Sequence, residues 1–355
     1  MVDTQKITIQ RTTASQLARF DFSNTPFGKF YTDHMFVADF KDKQWQDWRI
    51  VPYGKILVSP ATPTLHYSHT IFEGLKAHKS PAGEALIFRP LENLKRMNKS
   101  AERMCMAAVP QELYMESLRV LIDLDRGWIP DAKGSSLYIR PFLFSADEFI
   151  GIRPSEDFTF MIILSPVGAY YSAPVKVKIE THFTRAVAGG TGYAKTGGNY
   201  AGSIYPAKLA QEEGGYQQLI WTDGKSHEYI EESGTMNIMF VIGDTLVTPA
   251  LSDSILPGIT RDSALQLVRS WGNKVEERKV SVKEIVEALQ KGTLKEAFGV
   301  GTAATIAHIA TIGHEGKDYT LPPIEKRDLA NKIYNELDGI KHGTKPDPFG
   351  WIVKM

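Results

Sequence analysis

The stretch Gly189–Tyr200 reads GGTGYAKTGGNY. Five of its twelve residues are glycine, and its titratable side chains are Lys195 and two tyrosines. Glycine at this density lets a backbone approach a ligand closely or take positive φ. A lysine framed in this way has few neighbours to pair with. For the isolated segment two readings stand side by side. It is a flexible surface loop with a solvated lysine, or it presents a Schiff-base lysine whose amine, activated by its surroundings, attacks an aldehyde.

A second segment, Ile230–Asn237 (IEESGTMN), runs directly into the apolar strand Ile238–Val241. A carboxylate just before a buried strand is costly unless paired. As an isolated pair, Glu231 and Glu232 read best as exposed turn residues. If one is buried, it could hold a protonated ring nitrogen, the partner a pyridoxal cofactor needs in order to act as an electron sink.

Two candidate anion cradles follow. Leu256–Thr260 (LPGIT) precedes a helix expected from Arg261, with Thr260 as its N-cap, and Gly299–Ala304 (GVGTAA) precedes the apolar segment Thr305–Ile309. Each offers backbone N–H groups, a hydroxyl and a helix dipole to a phosphate or carboxylate. Alone, either is an ordinary turn and cap. The chain has no GxxxxGKS/T loop, no HExxH and no GxSxG elbow, and its nine histidines lack partner cysteines, so no metal site is expected.

These segments need a scaffold. Leu91, Leu94, Met97, Ala101, Met104 and Cys105 have helical spacing, which predicts a helix over Leu91–Ala108. A second follows Pro110, with Leu113, Met115, Leu118, Leu121 and Ile122 before Gly127. Arg49–Ile87 reads as strands and turns, and Ser136–Phe144 and Phe158–Leu164 as buried strands. Pro166–Pro174 (PVGAYYSAP) breaks the pattern and marks a domain boundary. Beyond it, strands are expected at Val175–Glu180, Gln218–Thr222, Asn237–Val241 and Thr245–Thr248. Helices are expected at Tyr200–Glu213, Arg261–Trp271 and Val282–Gln290, the last opened by a Ser281/Glu284 capping box. Strands and helices mix in both halves, so two α/β or α+β domains are predicted, with a ligand in the cleft between them.

The 355 residues are 43% apolar and 23% charged, enough for a large core. Lysine plus arginine equals aspartate plus glutamate at 41 each, which argues against nucleic acid or anionic lipid as a partner. A single cysteine, Cys105, excludes a disulfide framework and suits a reducing compartment. Residues Met1–Phe20 contain no apolar run of the kind a secretory signal has, and no 18-residue apolar run occurs, so a cytoplasmic location is expected.

Taken in order, the segments resemble the pyridoxal-phosphate aminotransferases of fold type IV, and within them the branched-chain amino acid aminotransferases. The matching motifs are FGKFYTDHM (Phe27–Met35), LHYSHTIFEGLKAH (Leu65–His78), IFRP (Ile87–Pro90), SLYIRP (Ser136–Pro141), KTGGNY (Lys195–Tyr200), EESGTMN (Glu231–Asn237), LPGITR (Leu256–Arg261) and GVGTAA (Gly299–Ala304). The resemblance implies a smaller N-terminal α/β domain (1–167), an interdomain loop (168–174) and a larger C-terminal pseudo-barrel domain (175–355) carrying the Schiff-base lysine. It implies pyridoxal 5'-phosphate as cofactor and a homodimer in which side chains of one subunit approach the other's site. The implied activity is transamination of L-leucine, L-isoleucine or L-valine with 2-oxoglutarate. The alternative within the fold is a D-amino acid aminotransferase or an aminodeoxychorismate lyase.

The same resemblance assigns roles. Lys195 would form the internal aldimine and shuttle the proton between the substrate Cα and the cofactor. Glu232 would pair with the pyridinium nitrogen and Tyr200 with the phenolate oxygen. Arg89, the Ile259 and Thr260 amides and Thr302 would hold the phosphate. Thr235 and the Ala303 amide would bind the α-carboxylate. Tyr31, Tyr67, Phe72, Tyr138 and Tyr170 would wall the side-chain pocket, with Arg140 meeting a distal carboxylate. Aromatic walls with polar tips can accept both an isobutyl group and a carboxylate. Animal members carry a CxxC pair after the GTA segment; Ala304 and Ala307 stand there, so that thiol control is absent.

Overall fold

The computed structural model describes residues 7–132, 134–168 and 173–355. Proline sets the start of each helix in the first half. Pro63 and Pro90 stand in the first turn of α1 (Pro63–Tyr67) and α2 (Pro90–Arg103), and Pro110 is the N-cap of α3 (Gln111–Leu124). The fixed φ of proline suits that place, where its missing N–H would have had no helical partner. The apolar spacing continues to Ala108, but α2 stops at Arg103. There Cys105 takes φ 52° and the Met104 N–H turns back onto the Ser100 and Ala101 carbonyls.

Among the described residues nine strands form the first sheet. They are β1 (Thr8–Ile9), β2 (His34–Lys41), β3 (Gln44–Pro52), β4 (Thr70–Phe72), β5 (Leu75–Lys79), β6 (Ala85–Phe88), β7 (Ser136–Ser145), β8 (Phe158–Val167) and the C-terminal strand Ile352–Lys354. Their order is β1-β3-β2-β8-β7-β5-β6 and the C-terminal strand, with β4 paired to β7. The antiparallel β7–β8 ladder runs from Ser136↔Val167 to Ser145↔Phe158, through the middle of the sheet. Met97 of α2 and Leu113, Leu118 and Leu121 of α3 share a core with Phe36, Ile87 and Phe160 of the sheet.

The first unit comprises Met1–Tyr170, Ala194–Gly197 and Gly339–Met355, and the second Tyr171–Tyr193 and Gly198–Asp338. Two segments thus fall outside a division by a single cut at 168–174. The C-terminal strand completes the first sheet, pairing Ile352↔Phe88 through Lys354↔Leu86. Ala194–Gly197 docks beside β4: Phe72 N–H donates to the Lys195 carbonyl at 3.0 Å, Ile71 bridges Thr196, and Thr196 Oγ1 donates to the Thr70 carbonyl at 3.0 Å. Lys195 therefore belongs with the first unit, whereas the sequence reading assigns it to the second.

The second unit is built on β9 (Val175–Ile179), β10 (Gln218–Thr222), β11 (Tyr229–Ser233), β12 (Met236–Ile242), β13 (Thr245–Pro249), β14 (Lys274–Arg278), β15 (Val280–Ser281), β16 (Leu294–Gly301), β17 (Thr305–His314) and β18 (Lys317–Thr320). Six of these close a ring, β12-β16-β17-β9-β10-β11, because β11 also pairs with β12. This is the expected pseudo-barrel. Phe240, Ile309, Ile312, Val177 and Ile220 form its core together with Ile285 of a flanking helix.

Five helices accompany these strands: α4 (Gly197–Ala201), α5 (Ile204–Gly214), α6 (Ile259–Ser270), α7 (Val282–Gln290) and α8 (Asp328–Lys341), the last ending in the first unit's segment. The single helix expected over Tyr200–Glu213 is two helices. Pro206 cannot bond to the carbonyl of residue 202 and its ring crowds it, so the chain breaks at Gly202–Ser203. α7 keeps the expected bounds, and Ser281 Oγ accepts the Glu284 N–H at 3.1 Å.

Candidate active site

In the first unit a cluster forms around Phe72 at the end of β4. The Lys195 Nζ lies 4.9 Å from the Phe72 ring centroid and the Arg140 guanidinium 4.7 Å from it. Arg140, on β7, also donates to the Tyr138 hydroxyl at 2.8 Å. Residues 138 and 140 are two apart on one strand, so their side chains share a face. Phe27 packs edge-on against Tyr138 at 4.8 Å. Gly74 is required here, because a Cβ on it would sit 2.3 Å from the Tyr138 hydroxyl. The cluster thus joins an amine, a guanidinium and aromatic rings.

Other residues of the sequence reading lie elsewhere in this unit. Tyr31 stacks on Tyr53 at 4.6 Å, and its hydroxyl donates to the Gly28 carbonyl. Tyr67 stands exposed on α1 with its ring 6.0 Å from His66. Arg89 caps α2 in the left-handed region at φ 49°, its N–H donating to the Trp351 carbonyl at 2.7 Å and its guanidinium 5.4 Å from the Trp351 ring. Tyr170 lies outside the described residues.

In the second unit the central group is Glu232. It lies in β11 and is buried, not in an exposed turn, and so is Glu231. Successive strand residues point to opposite faces, so the two carboxylates serve different surroundings. Glu232 Oε1 accepts from the Asn237 Nδ2 at 3.1 Å and the Leu256 N–H at 2.8 Å, and Oε2 lies 2.8 Å from Arg185 Nε. Glu231 Oε1 accepts the Ser254 hydroxyl, and burial pushes its carboxyl above the ordinary value. Glu232 is held as a paired anion by two hydrogen bonds and the Arg185 ion pair, and Glu231 is not.

Loop Ser252–Gly258 joins these carboxylates to α6. The N-cap of α6 is Gly258, in extended conformation, so Thr260 is not the cap but the second helical residue. Ile259 and Thr260 therefore bring first-turn N–H groups and a hydroxyl to the positive end of the helix dipole. A Cβ on Gly258 would lie 1.9 Å from Asn237 Oδ1, so glycine lets the loop close onto the Glu232 partner. The second cradle differs from the expectation of a helix: Gly299–Gly301 end β16 and Thr302–Ala304 form the hairpin turn into β17, with Thr302 and Ala303 half-buried. Thr235 is exposed in the β11–β12 turn after Gly234, which takes φ 57°. Tyr200 lies in α4, half-buried.

Sequence reasoning missed the supporting residues. Arg185, Arg96 and Ser100 lie outside every matched motif and have partners distant in sequence, and Glu73 and Asn237 lie inside motifs without a role assigned to them. Glu73 offers one usable signal, an acid between Phe72 and Gly74 inside an otherwise apolar run.

The donor set fits pyridoxal phosphate. In the first unit a lysine amine suits its aldehyde and a guanidinium its phosphate; in the second a buried carboxylate suits its ring nitrogen and a helix N-terminus its phosphate. Among the described residues no group of three His, Cys, Asp or Glu side chains could hold a metal.

Comparison with known proteins agrees. The amino-transferase class IV family profile matches residues 70–312. The chain is 43% identical over 347 residues to branched-chain-amino-acid aminotransferase 2 of Bacillus subtilis, covering 97% of this chain and 95% of that one. The crystal structure of the Escherichia coli branched-chain amino acid aminotransferase superposes with TM-score 0.73 at 26% identity, over 90% of this chain and 98% of that chain. A T.th. branched-chain amino acid aminotransferase, solved with pyridoxamine 5'-phosphate, shares the fold at TM-score 0.71 and 23% identity, over 90% and 97%. The chain belongs to the class IV aminotransferases, pyridoxal-phosphate enzymes, and among them to the branched-chain amino acid aminotransferases.

Proposed function

We propose that this protein reversibly transfers the amino group of L-leucine, L-isoleucine or L-valine to 2-oxoglutarate, giving the branched 2-oxo acid and L-glutamate. The observation that carries this reading is the 43% identity over 97% of the chain to a branched-chain aminotransferase. Bound pyridoxal phosphate supplies an aldehyde and an electron sink for the charge left at the substrate Cα.

The chain's own residues do the rest. Lys195 would hold the cofactor through its aldehyde and would move the proton at the substrate Cα. Glu232, with Arg185 and Asn237 on its oxygens, keeps a negative charge for the ring N–H. Tyr200 donates to the phenolate oxygen. Arg89, the Ile259 and Thr260 amides and Thr302 hold the phosphate, where a planar guanidinium grips better than an ammonium would.

Thr235 and the Ala303 amide orient the α-carboxylate. Phe72 and Tyr138 wall the side-chain pocket, and the resemblance would add Tyr31 and Tyr170 to it. Arg140, already hydrogen-bonded to Tyr138, meets the distal carboxylate of glutamate. The exposed Tyr67 suits a side chain that serves the other subunit of a homodimer. Among the described residues no helix is long and apolar enough to cross a membrane. The test is glutamate formation from leucine and 2-oxoglutarate with purified protein. Stoichiometric glutamate and 4-methyl-2-oxopentanoate are expected, and no glutamate above background contradicts the reading.

A further inference from the structure

Glu73 is fully closed to water between Phe72 and Gly74. Arg96 grips it with two prongs, Nε to Oε1 at 2.8 Å and Nη2 to Oε2 at 2.9 Å. Asn93 Nδ2 and the Gly74 N–H add bonds to Oε2 at 2.8 Å and 3.1 Å. Such a pair fixes the planes of both partners. Asn93, Arg96 and Ser100 follow at three and four residues, so they line one face of α2. Ser100 Oγ, donating to the Arg96 carbonyl at 3.0 Å, accepts the Lys195 N–H at 2.9 Å. On the other side Phe72, the chain neighbour of Glu73, bonds the Lys195 carbonyl and faces its Nζ. Lys195 is thus held on one side by Phe72, the chain neighbour of Glu73, and on the other by Ser100, which bonds to the Arg96 that pairs with Glu73.

We propose that Glu73 is a positioning residue for Lys195: through Arg96 and Ser100 it fixes the helix face that carries the lysine backbone, and its buried carboxylate stands one residue from the Phe72 ring that faces the amine. The role rests on the reading of Lys195 as the residue that takes the cofactor aldehyde. A clamp alone would not need an ion here, because apolar residues of similar volume often replace buried pairs without loss. The carboxylate is nonetheless ionised. Burial pushes Glu73 up, but the charges of Arg96 and Lys195 hold it below the ordinary value.

The test is a pH titration of the visible absorption band of the holoenzyme, with melting temperature measured alongside. In Glu73→Gln the buried Arg96 is left without its counter-charge, and the pH midpoint of the band is expected to fall by about one unit, a tenfold change in proton affinity. Glu73→Asp keeps the charge but draws it back by one methylene, and a smaller fall in the same direction is expected. The double variant Glu73→Gln/Arg96→Gln removes both charges, and its midpoint is expected to return toward that of the wild type. A midpoint unchanged in Glu73→Gln, with only the melting temperature lowered, overturns the proposal in favour of a structural clamp. If Glu73→Gln does not fold, an unchanged midpoint in Glu73→Asp overturns it. Failure of the underlying reading looks different: Lys195→Ala would then keep the wild-type titration.

Discussion

The Nε of Arg185 lies 2.8 Å from Oε2 of Glu232, and both side chains are more than nine-tenths closed to water, at 7% and 4% exposure. Removing one partner of such a pair leaves the other charge buried, at a cost on the order of 3 kcal/mol. Glu232→Gln is therefore expected to lower the melting temperature measurably while keeping the fold. Its kcat for leucine should fall by at least about a hundredfold, because a ring nitrogen without its carboxylate makes a weak electron sink. Unchanged kinetics would mean that Glu232 does not serve the ring.

Lys195→Ala removes the amine of the Phe72 cluster that the proposed function assigns to the aldehyde. Turnover should be lost, while noncovalent binding of pyridoxal phosphate, followed by equilibrium dialysis, should survive through the phosphate and ring contacts. Leucine transamination near the wild-type rate, with no added amine, would sink the assignment.

Gly258 sits where a Cβ would fall 1.9 Å from Asn237 Oδ1, and Asn237 is held by Glu232 and the Leu256 carbonyl. Gly258→Ala must push that amide aside. Overpacking of this kind typically costs about 1–3 kcal/mol. Weaker cofactor retention is expected, read as a raised dissociation constant for pyridoxal phosphate. Gly83→Ala, with nothing near its Cβ but φ 81°, separates backbone strain from this clash and should leave that constant unchanged.

Acid should weaken the fold through buried imidazoles. Burial and the nearby Arg327 charge push His308 down from 6.5 to about 4, and burial lowers His78 as well. Below about pH 6.5 the unfolded chain binds protons that the folded histidines refuse, so stability is full above that pH and falls as it drops toward 4. His308→Gln should remove part of the fall between pH 7 and pH 5, on the order of 1 kcal/mol once solvent screening is allowed for. Parallel urea midpoints for the two proteins at both pH values decide it, since equal losses would show that His308 is not involved.

The elements most legible in the sequence are those whose local signals agree with their packing. Gln218–Thr222 and Val282–Gln290 form as expected, the first from an apolar run and the second from a capping box. The expected helix from Tyr200 to Glu213 splits because Pro206 overrides an otherwise helical pattern. Thr260 reads as a cap by residue type, yet Gly258 takes that place because the loop must close over Asn237. The place of Lys195 in the first unit is hidden from the sequence, because nothing in GGTGYAKTGGNY encodes its bonds to Ser100 and Phe72, which lie about a hundred residues away.

The chemistry-bearing residues are legible only as a set. Glu231 and Glu232 are adjacent in the chain and alike in type, and only strand alternation plus Arg185, Asn237 and Leu256 separates their environments. Burial of that kind depends on long-range pairing, which a local segment does not specify.

The most direct measurement is the visible absorption spectrum of the purified holoenzyme, alone, after L-leucine, and after subsequent 2-oxoglutarate. The expected result is a yellow band lost with leucine and restored by 2-oxoglutarate, which displays both half-reactions. A band indifferent to leucine but bleached by a D-amino acid, or a protein that stays colourless with added pyridoxal phosphate, would contradict the account.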